Sequence, residues 1–133
     1  ILDELRRHEP QRTVEIVVAP DARCTADAGL MRIALQNLLG NAWKFTGKAP
    51  AARIEFGVVP ERDDTFYIRD NGAGFDDEAA AEMFAPFKRL HQESDFPGTG
   101  IGLSIVQRII RRHGGTITAT GKPGVGATFT FSL

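Results

Sequence analysis

The sequence lacks the features that mark several broad classes of protein. It has one cysteine, Cys24, so no internal disulfide can form and the thiol fits a reducing compartment. It has no long apolar run, which excludes a transmembrane helix, and its charged first ten residues exclude a signal peptide. Neither charge is in excess, because the chain has 16 Lys and Arg and 17 Asp and Glu. This balance excludes the broad basic surface that nucleic-acid binding usually needs and leaves room only for a local basic site. We therefore expect a cytoplasmic location, no membrane contact by this segment and no nucleic-acid partner.

The remaining composition is typical of one soluble domain. The chain has 133 residues, of which 42% are hydrophobic and 25% are charged, close to the globular average. It begins without an initiator Met and ends on a strand-like run, so we expect a piece of a longer protein. Ten of its 14 glycines lie between Gly72 and Gly126. The second half therefore contains backbone that bends sharply or approaches a ligand closely.

The hydrophobic pattern predicts a mixture of strands and helices without strict alternation. Strands are predicted at 13–19, 52–59, 64–70, 116–120 and 127–132. Helices are predicted at 27–45, 77–84 and 102–112, and an exposed loop at 88–98. This order predicts an α/β two-layer sandwich: a mixed, mainly antiparallel sheet of about five strands with three helices on one face.

A polar stripe runs along the longest predicted helix. At 100° per residue, Asn37, Asn41 and Lys44 lie within about 60° of one another, beside the apolar stripe. A solvated face would explain any one of these residues. Two Asn inside a helix are harder to explain in this way, since Asn is unfavourable there. An amide oxygen suits Mg²⁺, and a lysine one turn later can meet a phosphate.

Two further motifs combine glycine with polar groups. In the predicted strand that ends at Asp70, Phe66, Ile68 and Asp70 share one face, so the carboxylate lies on the side that packs the core. Gly72 and Gly74 follow, and a simple turn is the alternative explanation of this motif. The run 97–104 places alternating glycines at a helix N-terminus, where free N–H groups and the helix dipole favour phosphate. On its own this second motif is a weak signal.

Five motifs in order resemble the N, G1, F, G2 and C-terminal glycine boxes of the catalytic ATP-binding domain of sensor histidine kinases. They lie at residues 35–46, 70–76, 84–90, 98–115 and 124–133. The resemblance implies the Bergerat fold of gyrase, heat-shock chaperone and mismatch-repair ATPases, with ATP held between helices under a mobile lid. It also implies that ATP and Mg²⁺ are the ligands.

The resemblance assigns roles to residues at the matching positions. Asn41 would ligate Mg²⁺, Lys44 would lie near the phosphates, Phe45 would pack on adenine, and Asp70 would accept a hydrogen bond from the adenine amine. Asn37, Asn41 and Lys44 are therefore the predicted catalytic residues. The rest of the predicted ATP site comprises Gly72, Gly74, Phe75, Arg89, Gly98, Thr99, Gly100, Ile101, Gly102 and Leu103. Phe84 and Phe87 would anchor the lid, and Lys88 and Arg89 would contact phosphate or a partner.

One position argues against efficient ATP hydrolysis. In the hydrolysing relatives a glutamate one turn before the Mg²⁺ asparagine activates water, whereas this chain has Asn37, whose amide cannot take a proton. Phosphoryl transfer to a neutral imidazole needs no such base, because positioning and charge neutralisation contribute most of the catalysis.

The chain's own histidines are poor candidates for the phosphoacceptor. His8 is followed by Pro10 and a predicted strand, His91 lies in the predicted lid, and His113 lies at a helix end, where a cation complements the dipole. We therefore expect residues 1–12 to be a hinge or linker from an upstream helical dimerisation domain that carries the acceptor, and residues 13–133 to be the ATP-binding domain. The implied partners are ATP, that upstream domain and, through it, a response regulator. The isolated domain is expected to be monomeric and the parent protein dimeric.

Two alternatives to a kinase domain stay open at this point. The first is a degenerate module of the same fold that binds nucleotide or only a protein partner, against which the intact Asn41 and Asp70 argue. The second is a hydrolysing ATPase, which would have to work without a base at Asn37.

Overall fold

The structure, a computed structural model, describes residues 1–86 and 101–133. Its helices are α1 (Leu2–His8), α2 (Ala28–Phe45) and α3 (Gly102–Arg112), with a single 3₁₀ turn at Asp77–Ala79. Its strands are β1 (Glu15–Val18), β2 (Arg53–Val58), β3 (Thr65–Asp70), β4 (Ile117–Lys122) and β5 (Gly126–Ser132). Within these two ranges, no helix is long and apolar enough to span a bilayer.

The strands form one five-stranded sheet in the order β1-β2-β3-β5-β4. β1 and β2 are parallel, and the other three pairs are antiparallel. The central strand β3 ends at Asp70, which lies opposite Ile54 of β2 and Ala127 of β5. The predicted α/β sandwich with a mixed, mainly antiparallel sheet is confirmed, and two of its three helices, α2 and α3, lie where the sequence predicts them.

The core lies between the sheet and the helices α2 and α3. Alternation along β3 buries Phe66 and Ile68 on the helix side, where Phe131 of β5 packs at 5.6 Å from the Phe66 ring. Leu38 of α2 and Ile110 of α3 are fully buried against them. Full burial of one such side chain contributes about 1.5–3 kcal/mol, so this apolar face holds α2 against the sheet.

A cap and a histidine fix the start of α2. The Asp27 side chain accepts a hydrogen bond from the Leu30 N–H at 2.8 Å, as an N-cap residue does. The Asp27 N–H donates to Nε2 of His113, at the end of α3, over 3.0 Å. Nδ1 of the same ring lies 2.8 Å from the Ile109 carbonyl oxygen. The His113 side chain therefore joins the end of α3 to the start of α2.

The predicted helix at 77–84 is wrong. The chain forms only the 3₁₀ turn at Asp77–Ala79 and then irregular turns. Asp77 does not cap a helix, because its carboxylate accepts the N–H of Gly121 on β4 at 2.8 Å. Met83 and Phe84 are buried nevertheless, which shows that tertiary packing and not helical periodicity places them.

The helix α1 was not predicted. It packs along α2, where Leu2 and Leu5 contact the core and Glu4 pairs with Arg32 at 2.8 Å. Its seven residues are too few to show a helical period. The expectation that residues 1–12 link to an upstream domain stays a prediction.

Candidate functional site

The three polar residues predicted on α2 lie at the edge of its buried face. Asn37, Asn41 and Lys44 are each half-buried, next to buried Leu38 and Ala42. The Lys44 ammonium lies 4.8 Å from the centroid of the Phe45 ring, a cation–π distance. The helix therefore presents two amides and a cation at the boundary between core and solvent, as predicted.

Asn37 joins α2 to the start of α3. Its Nδ2 donates to the Ile33 carbonyl oxygen at 2.9 Å, which fixes the orientation of the amide. Its Oδ1 faces Gly102, where an added Cβ would lie only 2.6 Å away. The glycine is therefore required for this close approach, and the structure brings the polar stripe of α2 together with the glycine-rich start of α3.

Asp70 is a buried carboxylate at the end of β3. It is 6% exposed, and its Oδ1 accepts the N–H of Gly72 at 2.9 Å. Burial raises the pKa of Asp70 from 3.8 to about 6, although hydrogen bonds from the backbone of Gly72 and Ala127 act in the opposite direction. The inward-facing position predicted for this aspartate is confirmed.

The loop after Asp70 lies directly against the end of α2. The Ala73 N–H donates to the Phe45 carbonyl oxygen at 3.0 Å, and a Cβ at Gly72 would overlap that same oxygen. Gly74 has a φ of 66°, which favours glycine. At both glycines an added Cβ would meet backbone atoms, and this close packing places Phe45 beside the loop that follows Asp70.

Phe75, which follows Gly74, packs into the hydrophobic core. Its ring is buried, lies 6.2 Å from the ring of Phe129 and fills the space beside Gly121, where an added Cβ would lie 2.9 Å from the ring. Phe84 is also buried and meets Phe129 edge to face at 6.4 Å. Both aromatic residues therefore anchor the segment between β3 and the end of the first described range to Phe129 of the core.

The structure describes residues 101–104 of the glycine motif at 97–104. Gly102 begins α3, Ile101 precedes it without a side-chain cap, and Leu103 is half-buried. The Ser104 hydroxyl donates to the Ile101 carbonyl oxygen at 2.7 Å. The other predicted site residues of this region lie outside the described residues, namely Phe87, Lys88, Arg89, Gly98, Thr99 and Gly100, together with the predicted loop at 88–98.

A cavity of about 360 Å³ lies at the end of β3. Asp70 is among its lining residues, together with Arg53 and Arg69 and with Ala127, the residue opposite Asp70 on β5. The end of the strand that carries the buried carboxylate therefore borders an open space.

Comparisons with known proteins agree on one family. Residues 26–133 match the model of the histidine kinase-, DNA gyrase B- and HSP90-like ATPase family. The chain is 36% identical over 133 residues to the phytochrome-like protein Cph1 of Synechocystis, covering 99% of this chain and 18% of that protein. It is 39% identical over 112 residues to the methanogenesis regulatory histidine kinase FilI of Methanothrix harundinacea, covering 84% of this chain and 12% of that protein.

A solved structure supports the same assignment. Full-length ShkA in complex with AMPPNP matches with a TM-score of 0.74 and 30% identity, covering 97% of this chain and 27% of that one. The chain thus spans less than a fifth of the two relatives named above. It belongs to the histidine kinase-, DNA gyrase B- and HSP90-like ATPase family, as an ATP-binding catalytic domain of the sensor-kinase type.

Proposed function

We propose that this domain positions Mg²⁺-ATP for transfer of the γ-phosphoryl group to a histidine on a separate helical domain of the parent protein. The observation that carries the proposal is the buried carboxylate of Asp70 beside the last turn of α2. The ShkA match, a complex with AMPPNP, adds support because it covers 97% of this chain.

Asp70 is suited to select adenine. A carboxylate oxygen accepts hydrogen bonds only, and the adenine amine donates at the ring position where guanine has a carbonyl. Burial strengthens such a bond and makes it costly to leave the carboxylate without a donor. Phe45 lies next to the loop that follows Asp70, and its ring is the aromatic group that we propose packs on the base. We assign adenine recognition to Asp70 and Phe45, with Gly72, Gly74 and Phe75 shaping the floor.

The phosphates would lie between α2 and the start of α3. Lys44 provides a cation, and the backbone at Ile101, Gly102 and Leu103 provides N–H groups at the positive end of a helix dipole. Arg89, Gly98, Thr99 and Gly100 complete the proposed set by sequence. Asn41 is the protein ligand proposed for Mg²⁺, since its hard amide oxygen fits an ion that takes its other ligands from phosphate and water. The ion would neutralise charge on the phosphates.

Asn37 has a positioning role in this proposal. Its amide donates to the Ile33 carbonyl oxygen and faces Gly102, so we propose that it fixes the start of α3 relative to α2. Because an amide takes no proton at neutral pH, Asn37 does not act as a base. The acceptor imidazole brings its own lone pair, and the domain supplies orientation and charge neutralisation. We therefore propose transfer to histidine with little hydrolysis.

The partners follow from this role. We propose an upstream dimerisation and phosphoacceptor domain joined through residues 1–12, a dimeric parent protein and a response regulator that receives the phosphoryl group from that domain. We propose a cytoplasmic location for the ATP-binding domain, which is monomeric when isolated.

A phosphotransfer assay tests the proposal. The domain is mixed with radiolabelled ATP, Mg²⁺ and the separately expressed acceptor domain of the parent protein. We expect acid-labile label on the acceptor, no label on this chain, and a severe loss of transfer with Asn41→Asp while the circular dichroism spectrum is unchanged. Labelling of this chain alone, or steady phosphate release without transfer, would contradict the proposal.

A further inference from the structure

The side chain of Arg12 closes the C-terminal end of α2. Its Nη1 donates to the Trp43 carbonyl oxygen at 2.7 Å, and its Nη2 donates to Thr46 Oγ1 at 3.1 Å. The last carbonyl groups of a helix lack partners within the helix, and the negative end of the helix dipole favours a cation. Arg12 meets both needs from a position 31 residues away in the sequence.

The same side chain also holds the Trp43 ring. The guanidinium carbon lies 4.5 Å from the ring centroid, and the indole Nε1 donates to Glu9 Oε1 at 3.0 Å. Trp43 and Thr46 are 3% and 1% exposed, so their positions are fixed by packing. The Arg12 N–H donates to the Glu9 carbonyl oxygen at 3.1 Å, which closes a turn over residues 9–12. We call Glu9, Arg12, Trp43 and Thr46 the Arg12 clamp.

Two residues of the proposed nucleotide site lie within the stretch of α2 that Arg12 holds. Lys44 and Phe45 lie between Trp43 and Thr46, both of which Arg12 contacts. On the other side, the Phe45 carbonyl oxygen accepts the Ala73 N–H from the loop after Asp70. The last turn of α2 is thus connected to the N-terminal segment and to the proposed adenine loop at once.

We propose that Arg12 is a positioning residue for the nucleotide site, and that the clamp couples the N-terminal segment to nucleotide binding through the last turn of α2. The inference rests on the proposed function, since it concerns the placement of Lys44 and Phe45. Coupling of this kind is reciprocal, so bound nucleotide also stabilises the docked N-terminal segment.

Calorimetry with Mg²⁺-ATP on three variants tests the inference. Arg12→Ala removes the clamp, and we expect at least about fivefold weaker binding, the lower end of typical couplings between sites. Arg12→Lys keeps the charge but cannot reach both acceptors with one planar group, so its affinity should lie between Arg12→Ala and the wild type. Arg7→Ala is the matched control, because Arg7 lies exposed on α1 in the same segment. Its affinity should equal that of the wild type.

Two readouts separate positioning from a role in stability alone. If Arg12 only stabilised the fold, the folded fraction of Arg12→Ala would bind with the wild-type Kd and a reduced stoichiometry. We expect the opposite, a weaker Kd at unchanged stoichiometry. Trp43 is the only tryptophan of the chain, so its emission reports on the clamp directly. Mg²⁺-ATP should change that emission in the wild type and should change it less in Arg12→Ala.

The outcomes are distinguishable from failure of the proposed function. A wild-type Kd in Arg12→Ala overturns the inference and leaves the proposed function intact. If Arg12→Ala does not fold, a wild-type Kd in Arg12→Lys overturns it in the same way. Absence of Mg²⁺-ATP binding by the wild type would overturn the proposed function and the inference together.

Discussion

Two carboxylates on neighbouring strands of the same sheet have opposite environments. Glu55 of β2 lies on the open face, where it accepts a hydrogen bond from the Tyr67 hydroxyl and pairs with Arg53 at 3.0 Å. The pKa of Glu55 is lowered, first by the Tyr67 hydrogen bond and also by Arg53 and Arg69. Asp70 of β3 lies on the helix face, where burial raises its pKa to about 6. Glu55 has the partners that a carboxylate needs for stability, whereas Asp70 is placed where its charge is costly.

The difference is the one expected between a carboxylate that stabilises the fold and a carboxylate that serves a binding site. A group that destabilises its own fold is retained where it does something else, and buried groups with shifted pKa values gather at functional sites. For Asp70, the proposed task is to hold adenine. The two carboxylates should therefore respond in opposite ways to the loss of their charge.

The largest expected effect comes from the glycines beside each carboxylate. A Cβ at Gly72 would overlap the backbone oxygen of Phe45, which cannot move without shifting the end of α2, so Gly72→Ala should cost about 4 kcal/mol or prevent folding. A Cβ at Gly57 would meet only the ring of Tyr67, which can rotate, so Gly57→Ala should cost about 1–2 kcal/mol. Urea unfolding measures both.

A control for these two variants is available on α2. Gly40 has open space where its Cβ would lie, so Gly40→Ala should raise the free energy of unfolding by about 1 kcal/mol. If Gly72→Ala and Gly57→Ala lost the same free energy of unfolding, the loop after Asp70 would be no more constrained than the open face of the sheet.

Removal of the Asp70 charge should stabilise the fold. Folding favours protonated Asp70, so its contribution to stability is fully present below its unfolded pKa of 3.8 and is lost as the pH rises through about 6. Asp70→Asn should therefore be more stable than the wild type at pH 7, by up to about 3 kcal/mol. The difference should grow between about pH 4 and 6 and stay constant above about pH 7. Denaturant unfolding across this pH range measures it, and lower stability of the variant at pH 7 would contradict the account.

The smallest expected effect is on the other carboxylate. Glu55→Gln should lower the free energy of unfolding by about 1 kcal/mol, because it removes the charge that Arg53 and Arg69 face. Its pKa is lowered, so its contribution should be present above pH 4.5 and be lost as the pH falls. Nucleotide affinity should not change, and a large loss of affinity would remove the distinction between the two carboxylates.

Hydrophobic periodicity along the sequence predicted the helices and strands whose burial depends on it. The apolar spacing of α2 was strong enough to place Asn37 and Asn41 at the edge of its buried face, and the alternation of β3 placed Asp70 on the buried face of the sheet. The helix predicted at 77–84 was wrong because Asp77 bonds to Gly121, which is 44 residues away. No local signal could show that contact.

The Arg12 clamp lay outside the reach of sequence reasoning for the same reason. Glu9 and Arg12 contact Trp43 from 34 and 31 residues away, and the short segment that carries them resembles a polar linker. One weak signal was present for α1, since Asp3 and Glu4 begin it and Arg6, Arg7 and His8 end it, the order that complements a helix dipole.

The central claim is tested most directly by calorimetric titration of the wild type and Asp70→Asn with Mg²⁺-ATP and Mg²⁺-GTP at pH 7.5. We expect the wild type to bind ATP at micromolar to millimolar Kd and to prefer it over GTP. We expect Asp70→Asn, although more stable, to lose ATP affinity by about tenfold or more, the effect of leaving a buried polar contact unmade. Equal affinity of the wild type for ATP and GTP, or unchanged ATP affinity in Asp70→Asn, would contradict the account.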